Sequence, residues 1–194
     1  MFMSQGNKKN KIAIIGHTRG IGKAIADLYQ KKKYTVVGLS SSNGYDLQCS
    51  QVEIMEQLDD CRLIVINAYV GGGQMTLLKR IYGKYLFENK KVVVITSTSG
   101  TPIGADEELG NPEYRDYCKN KKILIGYIEE LQQELFNKPL SIYDVCPDVV
   151  DTDMTKGLWE DLPKLKADEV AEAVRYCFES TFNVNKIVMQ KNVK

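Results

Sequence analysis

The sequence predicts an α/β fold of the doubly wound, Rossmann-like class, with one mostly parallel sheet covered by helices on both faces. Short apolar runs rich in Ile and Val recur along the chain without polar alternation, which is typical of strands buried on both faces. Segments with helical apolar spacing lie between these runs, where parallel strands require crossover helices.

The predicted elements alternate in order along the chain. The strands are expected at residues 12–15, 35–39, 63–67, 92–96, 140–145 and 186–189. The helices are expected at residues 21–32 and 71–89, around residues 123–135 and around residues 170–177. We expect residues 1–10 to be a flexible N-terminal segment and residues 11–194 to be a single domain, because no linker or repeat divides them.

Composition narrows the classes of partner. The 194 residues carry a net charge of +1, which gives no electrostatic reason to expect nucleic acid or an anionic membrane. The polar start and the lack of an apolar run of roughly 20 residues argue against export and membrane insertion. Five cysteines without a C-x-x-C pair predict reduced thiols and a cytoplasmic protein. With His17 as the one histidine, we expect no metal site.

A glycine-rich turn follows the first predicted strand and leads directly into the first helix. Gly16 permits a tight turn, Gly20 permits close approach of the backbone to a pyrophosphate, and Gly22 permits close packing of the helix on the sheet. The helix N-terminus then offers unpaired amide groups and a partial positive charge to phosphates. This pattern predicts a dinucleotide site formed by Gly16, Thr18, Arg19, Gly20, Ile21 and Gly22.

Arg19 and the residues after the second predicted strand bear on the choice between NADP and NAD. A guanidinium group can pair with a 2'-phosphate through two hydrogen bonds. Ser40 and Ser41 stand where an NAD-binding protein would place an acid, so no carboxylate there repels a phosphate. The next acid, Asp46, lies farther along than the usual offset of about 20 residues, and it can serve the ribose in an NAD-binding protein. We therefore expect NADP (NADPH), with NAD as the alternative.

Several further groups of residues, in order along nearly the whole chain, resemble landmarks of the short-chain dehydrogenase/reductase family. The resemblance implies that the residues contacting the cofactor also include Asp46, Leu47, Asn67, Ala68, Tyr69, Tyr117, Lys121, Pro147, Val150 and Thr152. Asp46–Leu47 is similar to the pair that meets the adenine ring, and 67–69 to the family's Asn-Ala-Gly. Residues 147–154 are similar to its Pro-Gly-x-x-x-Thr-x-Met segment, which lines the nicotinamide. The resemblance also implies a homodimer or homotetramer.

Tyr117 and Lys121 match the Tyr-x-x-x-Lys signature of that family, and their chemistry is coherent. Residues four apart share one face of a helix. A phenol has a pKa near about 10, and a nearby ammonium group should lower it. Tyr117 can then act as general acid/base on an alcohol or carbonyl. The resemblance also implies a serine that polarises the substrate oxygen, at the end of the strand expected at residues 92–96. Ser97 fits this position, and Ser99 remains an alternative.

These residues predict an NADP(H)-dependent oxidoreductase that transfers a hydride between the cofactor and a small carbonyl or alcohol. The alternative is a non-catalytic NAD(P)-binding sensor or interaction protein on the same fold, suggested by Tyr69 and Asp148 where the family has glycine. Epimerase or lyase chemistry is a third possibility. The loop at residues 101–112 is expected to reach over the pocket and gate it, and residues 156–166 are expected to form a short lid that includes Trp159.

Overall fold

The computed structural model describes residues 10–102 and 111–191. The strands are β1 (Lys11–Ile15), β2 (Thr35–Leu39), β3 (Leu63–Ile66), β4 (Lys91–Ile95), β5 (Ser141–Pro147), β6 (Val150–Asp151), β7 (Leu165–Lys166) and β8 (Lys186–Met189). The helices are α1 (Gly20–Lys31), α2 (Gln51–Leu58), α3 (Gly73–Tyr85), α4 (Pro112–Glu134) and α5 (Ala167–Glu179). Residues 1–9, most of the segment predicted to be flexible, lie outside the described residues, as do 103–110, most of the predicted gating loop.

Six parallel strands form the central sheet in the order β2-β1-β3-β4-β5-β8. The predicted doubly wound α/β class is confirmed. The chain leaves β1 toward β2 on one side and returns to β3 on the other, so the carboxyl ends of β1 and β3 border the topological switch point. Ligands of doubly wound sheets bind at this point. β2 is the outermost strand on its side, whereas the usual dinucleotide-binding order has two strands there.

Both faces of the sheet are covered, as the continuous apolar runs predicted. In β3, Ile64 and Ile66 point into the core that α2, α3 and α4 cover. Their neighbours Leu63 and Val65 point into the core beneath α1 and α5. Successive side chains of a strand point to opposite faces, so such a strand must be apolar throughout.

Two features were not predicted from the sequence. The eight-residue helix α2 follows β2 after a turn and buries Ile54, Met55 and Leu58. The two-residue strands β6 and β7 pair in parallel beyond the carboxyl end of β5. This small ladder holds the segment that follows Pro147 against the main sheet. Across residues 10–102 and 111–191, no helix combines the length and the apolar character that crossing a bilayer requires.

Candidate active site

The glycine turn between β1 and α1 packs tightly against the end of β3. Gly16 has a φ of +89°, and a Cβ atom there would lie 2.7 Å from the amide nitrogen of Ala68. A Cβ atom on Gly22 would lie 1.8 Å from the carbonyl oxygen of Gly16. Asn67 braces the turn, because its Nδ2 donates a hydrogen bond of 2.9 Å to the same carbonyl oxygen. The turn is therefore fixed at the switch point of the sheet.

The N-terminus of α1 has the properties of a phosphate site. Arg19 is the N-cap residue, and its side chain makes no capping hydrogen bond; the first turn carries no acidic residue. Thr18 and Arg19 are exposed. Thr152 faces this turn, since a Cβ atom on Gly20 would lie 3.1 Å from its Cγ2. Helix amides without a capping side chain suit a bound anion. The turn thus fits the pyrophosphate of a dinucleotide.

The residues after β2 form a compact polar turn beside the glycine turn. The Ser40 and Ser42 hydroxyl oxygens lie 2.8 Å apart, and the Ser40 amide donates to Oδ1 of Asn43 at 2.8 Å. Ser41 is exposed. The imidazole ring of His17, a residue to which we assigned no role, packs directly over Gly38, where a Cβ atom would lie 2.3 Å from the ring.

Asp46 and Leu47, predicted to meet the adenine ring, lie in the turn that precedes α2. Asp46 Oδ1 accepts hydrogen bonds from the amides of Gln48 and Cys49 at 2.8 and 3.1 Å. Leu47 is buried and packs against Gly73. One carboxylate oxygen of Asp46 and the side chain of Leu47 therefore have structural roles in this turn.

Tyr117 projects from α4 toward the carboxyl end of β4. Its ring lies edge-on to the ring of Tyr69, with the centroids 4.7 Å apart. Burial raises the pKa of Tyr117 to about 12, and the influence of the Ser97 hydroxyl, which favours the phenolate, offsets only part of this rise. The expectation of a lowered phenol pKa is therefore wrong for the protein alone.

The two candidate serines have different partners. Ser97, just after β4, accepts a hydrogen bond of 3.2 Å from the Ser99 amide, and its hydroxyl lowers the pKa of Tyr117. The Ser99 hydroxyl lies 3.2 Å from the hydroxyl of Tyr114. The turn packs closely on α4, because a Cβ atom on Gly100 would lie 2.7 Å from the carbonyl carbon of Lys121. Of the two serines, only Ser97 influences the pKa of Tyr117 within the described residues, whereas the Ser99 hydroxyl faces Tyr114.

Lys121 lies on the same face of α4, one turn beyond Tyr117, with only 3% of its surface exposed. Its Nζ donates hydrogen bonds to Gln74 Oε1 at 2.8 Å and to the Ile95 carbonyl at 2.9 Å. The Nζ also lies 5.3 Å from the centroid of the Tyr69 ring and 5.5 Å from that of Tyr117. Burial lowers the pKa of Lys121 to about 7.

The segment after β5 completes the wall of the site. Asp148, which stands where the family has glycine, accepts a 2.9 Å hydrogen bond from the Thr98 hydroxyl through Oδ1. Val150 is buried in β6, and Pro147 ends β5. The ring of Trp159 lies 5.8 Å from that of Tyr114, so this part of the short lid borders the site. Within the described residues, no group of three or more His, Cys, Asp or Glu is arranged to hold a metal ion.

Comparison with known proteins gives a consistent result. No protein-family model matches the chain. The chain is 25% identical to the 3-oxoacyl-acyl-carrier-protein reductase FabG of Vibrio harveyi, over 80% of each protein. It is also 25% identical to carbonyl reductase family member 4 of Xenopus laevis, over 91% of this chain and 94% of the relative.

Solved structures share the fold. The 3-alpha-hydroxysteroid dehydrogenase of a Pseudomonas species, in complex with NADH, superimposes with a TM-score of 0.72 at 17% identity, covering 92% of this chain and 95% of that one. A short-chain dehydrogenase of Burkholderia cenocepacia in complex with NADP gives a TM-score of 0.72 at 14% identity, covering 93% and 88%.

The glycine turn at the switch point, the Tyr117–Lys121 pair beside it and these sequence and fold similarities together support a short-chain dehydrogenase/reductase. These relatives are named as reductases, and the two solved structures are dehydrogenases with a bound nicotinamide cofactor.

Proposed function

We propose that the protein transfers a hydride between NADP(H) and a small carbonyl or alcohol, with Tyr117 as its general acid/base. One observation carries the proposal: the Tyr117 ring lies 5.5 Å from the buried amine of Lys121, at the carboxyl end of β4 where Ser97 follows the strand. Proton transfer to a substrate oxygen requires a donor and a second hydrogen-bonding group that converge on one point.

The chain's own groups suit carbonyl reduction. Because burial raises the pKa of Tyr117 to about 12, its phenol is protonated at neutral pH and can donate a proton to the forming alkoxide. The Ser97 hydroxyl can hydrogen-bond to the same oxygen. When Lys121 carries its proton, its charge stabilises the phenolate that remains. The bound nicotinamide cofactor supplies or accepts the hydride.

The residues that would hold the cofactor lie along the switch point. The amide groups at the start of α1 suit the pyrophosphate, because no capping side chain or acid competes for them in this described part of the chain. Thr152, across the turn from Gly20, offers a further hydroxyl. Tyr69, Pro147 and Val150 are proposed to line the nicotinamide side of the pocket.

Reduction by NADPH is the direct test of the reaction. We expect the purified protein to oxidise NADPH in the presence of at least one member of a panel of ketones, aldehydes, quinones and keto-sugars. The fall in NADPH fluorescence measures this oxidation. Tight NADPH binding without turnover on the whole panel would instead favour the non-catalytic sensor, and turnover without net use of cofactor would favour an epimerase.

Arg19 is proposed to select NADPH over NADH. It is exposed at the N-cap of α1, and Ser40 and Ser41 nearby contribute no negative charge. We expect Arg19→Ala to weaken NADPH binding by about tenfold or more, because a charge-assisted contact to the 2'-phosphate is lost, and to leave NADH binding unchanged. Fluorescence titration of each cofactor gives both constants.

Lys23→Ala is the matched control for charge, since Lys23 lies one turn further along α1 and pairs with Asp27 at 2.5 Å. Its removal should change neither constant by more than about twofold. The NADP assignment fails if NADH binds more tightly to the wild type and Arg19→Ala has no effect.

The serine pair gives an internal comparison. Ser97→Ala should lower kcat by about 100-fold, because it removes the hydroxyl that is proposed to hydrogen-bond to the substrate oxygen beside Tyr117. Ser99→Ala should stay close to wild type, since its hydroxyl faces Tyr114. Steady-state kinetics of the two variants decide the assignment, and the reverse order of effects would transfer the role to Ser99.

We also propose that residues 11–194 act as one domain in a cytoplasmic homodimer or homotetramer. The outer face of α4 leaves Ile123 exposed, as a helix that packs against a second copy would. Light scattering of the purified protein measures the mass in solution, and a monomer at all concentrations would rule this assembly out.

A further inference from the structure

We propose that Gln74 is a positioning residue that holds the amine of Lys121 in the active site. The effect of Gln74 on catalysis rests on the proposed function, in which Lys121 assists the proton donor Tyr117. The Oε1 atom of Gln74 accepts a hydrogen bond of 2.8 Å from Lys121 Nζ. Among the described residues, it is the one side-chain oxygen with a hydrogen bond to that nitrogen.

The amide group of Gln74 is itself fixed at the ends of two strands. Its Nε2 donates to the Ile66 carbonyl at 3.3 Å and to the Ile95 carbonyl at 3.2 Å. The side chain is buried, with 2% of the residue exposed. Both amide hydrogens therefore have acceptors, and the opposite amide orientation would turn a donor toward the ammonium. The oxygen can only point to Lys121.

The local sequence explains how a glutamine reaches this position. α3 begins at Gly73, and a Cβ atom on Gly73 would lie 2.9 Å from Cγ of Leu47. Gly71, just before the helix, has a φ of +47°. These glycines let the helix start against the strand ends, so Gln74 in its first turn reaches across to α4. A longer entry into the helix would carry this side chain away from Lys121.

The other groups around the amine are less directional. The Ile95 carbonyl accepts a second hydrogen bond, and the rings of Tyr69 and Tyr117 face the Nζ. From β5, the charge of Asp144 favours the protonated amine, although burial outweighs it. Asp144 is itself engaged by the Thr96 hydroxyl and lies 3.5 Å from Lys186 on β8. Gln74 is thus the neutral group that fixes the direction of the ammonium.

Two substitutions distinguish the hydrogen bond between Gln74 and Lys121 from the packing of the Gln74 side chain. Gln74→Met keeps the length and removes the acceptor, whereas Gln74→Glu keeps an oxygen and adds a negative charge. Because an acceptor stabilises the protonated amine, the midpoint of Lys121 titration should fall by about one pH unit in Gln74→Met and rise by about one in Gln74→Glu.

The titration is measured by NMR on protein labelled with ¹³C-lysine, without substrate or cofactor, and the Lys121 signal is assigned by its loss in Lys121→Met. In the wild type we expect a midpoint near the pKa of about 7 that burial produces. Midpoints that agree among the wild type and both variants would overturn the inference. If Gln74→Met does not fold, as judged by circular dichroism, the comparison of Gln74→Glu with wild type still decides it.

Gln132, which is half-buried, provides the control for loss of a side-chain amide, because its Nε2 likewise donates to two carbonyls, those of Ile142 at 3.0 Å and Asn185 at 2.6 Å. We expect kcat to fall by about tenfold or more in Gln74→Met and to stay near wild type in Gln132→Met. The pH profile of kcat/KM should shift in opposite directions in Gln74→Met and Gln74→Glu.

A purely structural role for Gln74 would give equal losses in Gln74→Met and Gln132→Met, with no shift of the pH profile. The two proposals fail separately. If the wild type turns over no carbonyl, the proposed function is lost and the NMR titration alone decides the role of Gln74. If turnover is present and the Lys121 midpoints do not move, the function stands and the inference is wrong.

Discussion

Tyr117→Phe is expected to lower kcat by about 1,000-fold or more, while NADPH binds with nearly unchanged affinity. The substitution removes only the phenol hydroxyl and leaves the ring packed against Tyr69. The proton donor is then missing, and the shape of the pocket is preserved. Single-turnover kinetics with NADPH in excess measure the loss, and fluorescence titration measures the binding.

Tyr114→Phe is the matched control for this experiment. Tyr114 precedes Tyr117 on the same helix, its ring is stacked 6.3 Å away, and its hydroxyl lies next to Ser99. Loss of that hydroxyl should leave kcat within about threefold of wild type, because removal of neutral hydrogen bonds away from the reacting atoms has a small effect. Near-normal activity in Tyr117→Phe, or an equal loss in both variants, would contradict the role of Tyr117.

The second large effect is structural. Gly22→Ala should destabilise the protein by about 3 kcal/mol, because the added methyl group would overlap the carbonyl oxygen of Gly16 at 1.8 Å and crowd Nδ2 of Asn67 at 2.7 Å. For a chain of this size the melting temperature should fall by on the order of 10 °C. Thermal and urea denaturation measure the change, and cofactor binding should weaken with it because the glycine turn must shift.

Gly83→Ala serves as the comparison, since it adds the same methyl group in α3 where no atom lies within 4 Å. There the greater helix propensity of alanine should stabilise the protein by up to about 1 kcal/mol. If both substitutions had the same effect on the free energy of unfolding, the tight contact between Gly22 and the Gly16 carbonyl would not exist in solution.

The sheet and most of its helices were predictable because their signals are local. Each strand of the main sheet lies where a continuous apolar run predicted it, and α1 begins one residue before its predicted start at Ile21. α2 was missed because it is only eight residues long and lies between two turns. Its buried Ile54, Met55 and Leu58 have helical spacing, a signal that a shorter window would have detected. β6 and β7, at two residues each, are too short to give a periodic signal.

The site was predictable only in part. The sequence spacing brought Tyr117 and Lys121 to one helix face, and the strand end brought Ser97 beside them. The bond from Lys121 to Gln74 joins residues 47 positions apart on two helices, so no local pattern reveals it. The raised pKa of Tyr117 could not be predicted from a local pattern either, because it depends on how completely neighbouring elements exclude water.

Burial of the Lys121 amine affects how much the surroundings of that amine must reorganise during a reaction. An ammonium group that is already desolvated and oriented needs no solvent reorganisation when a reaction begins, which is the condition for effective electrostatic catalysis. That preorganisation is supplied by the folding free energy, since removing the amine from water disfavours its charged form. Burial of the Lys121 amine therefore lowers the free energy of unfolding and leaves Nζ already oriented for the reaction.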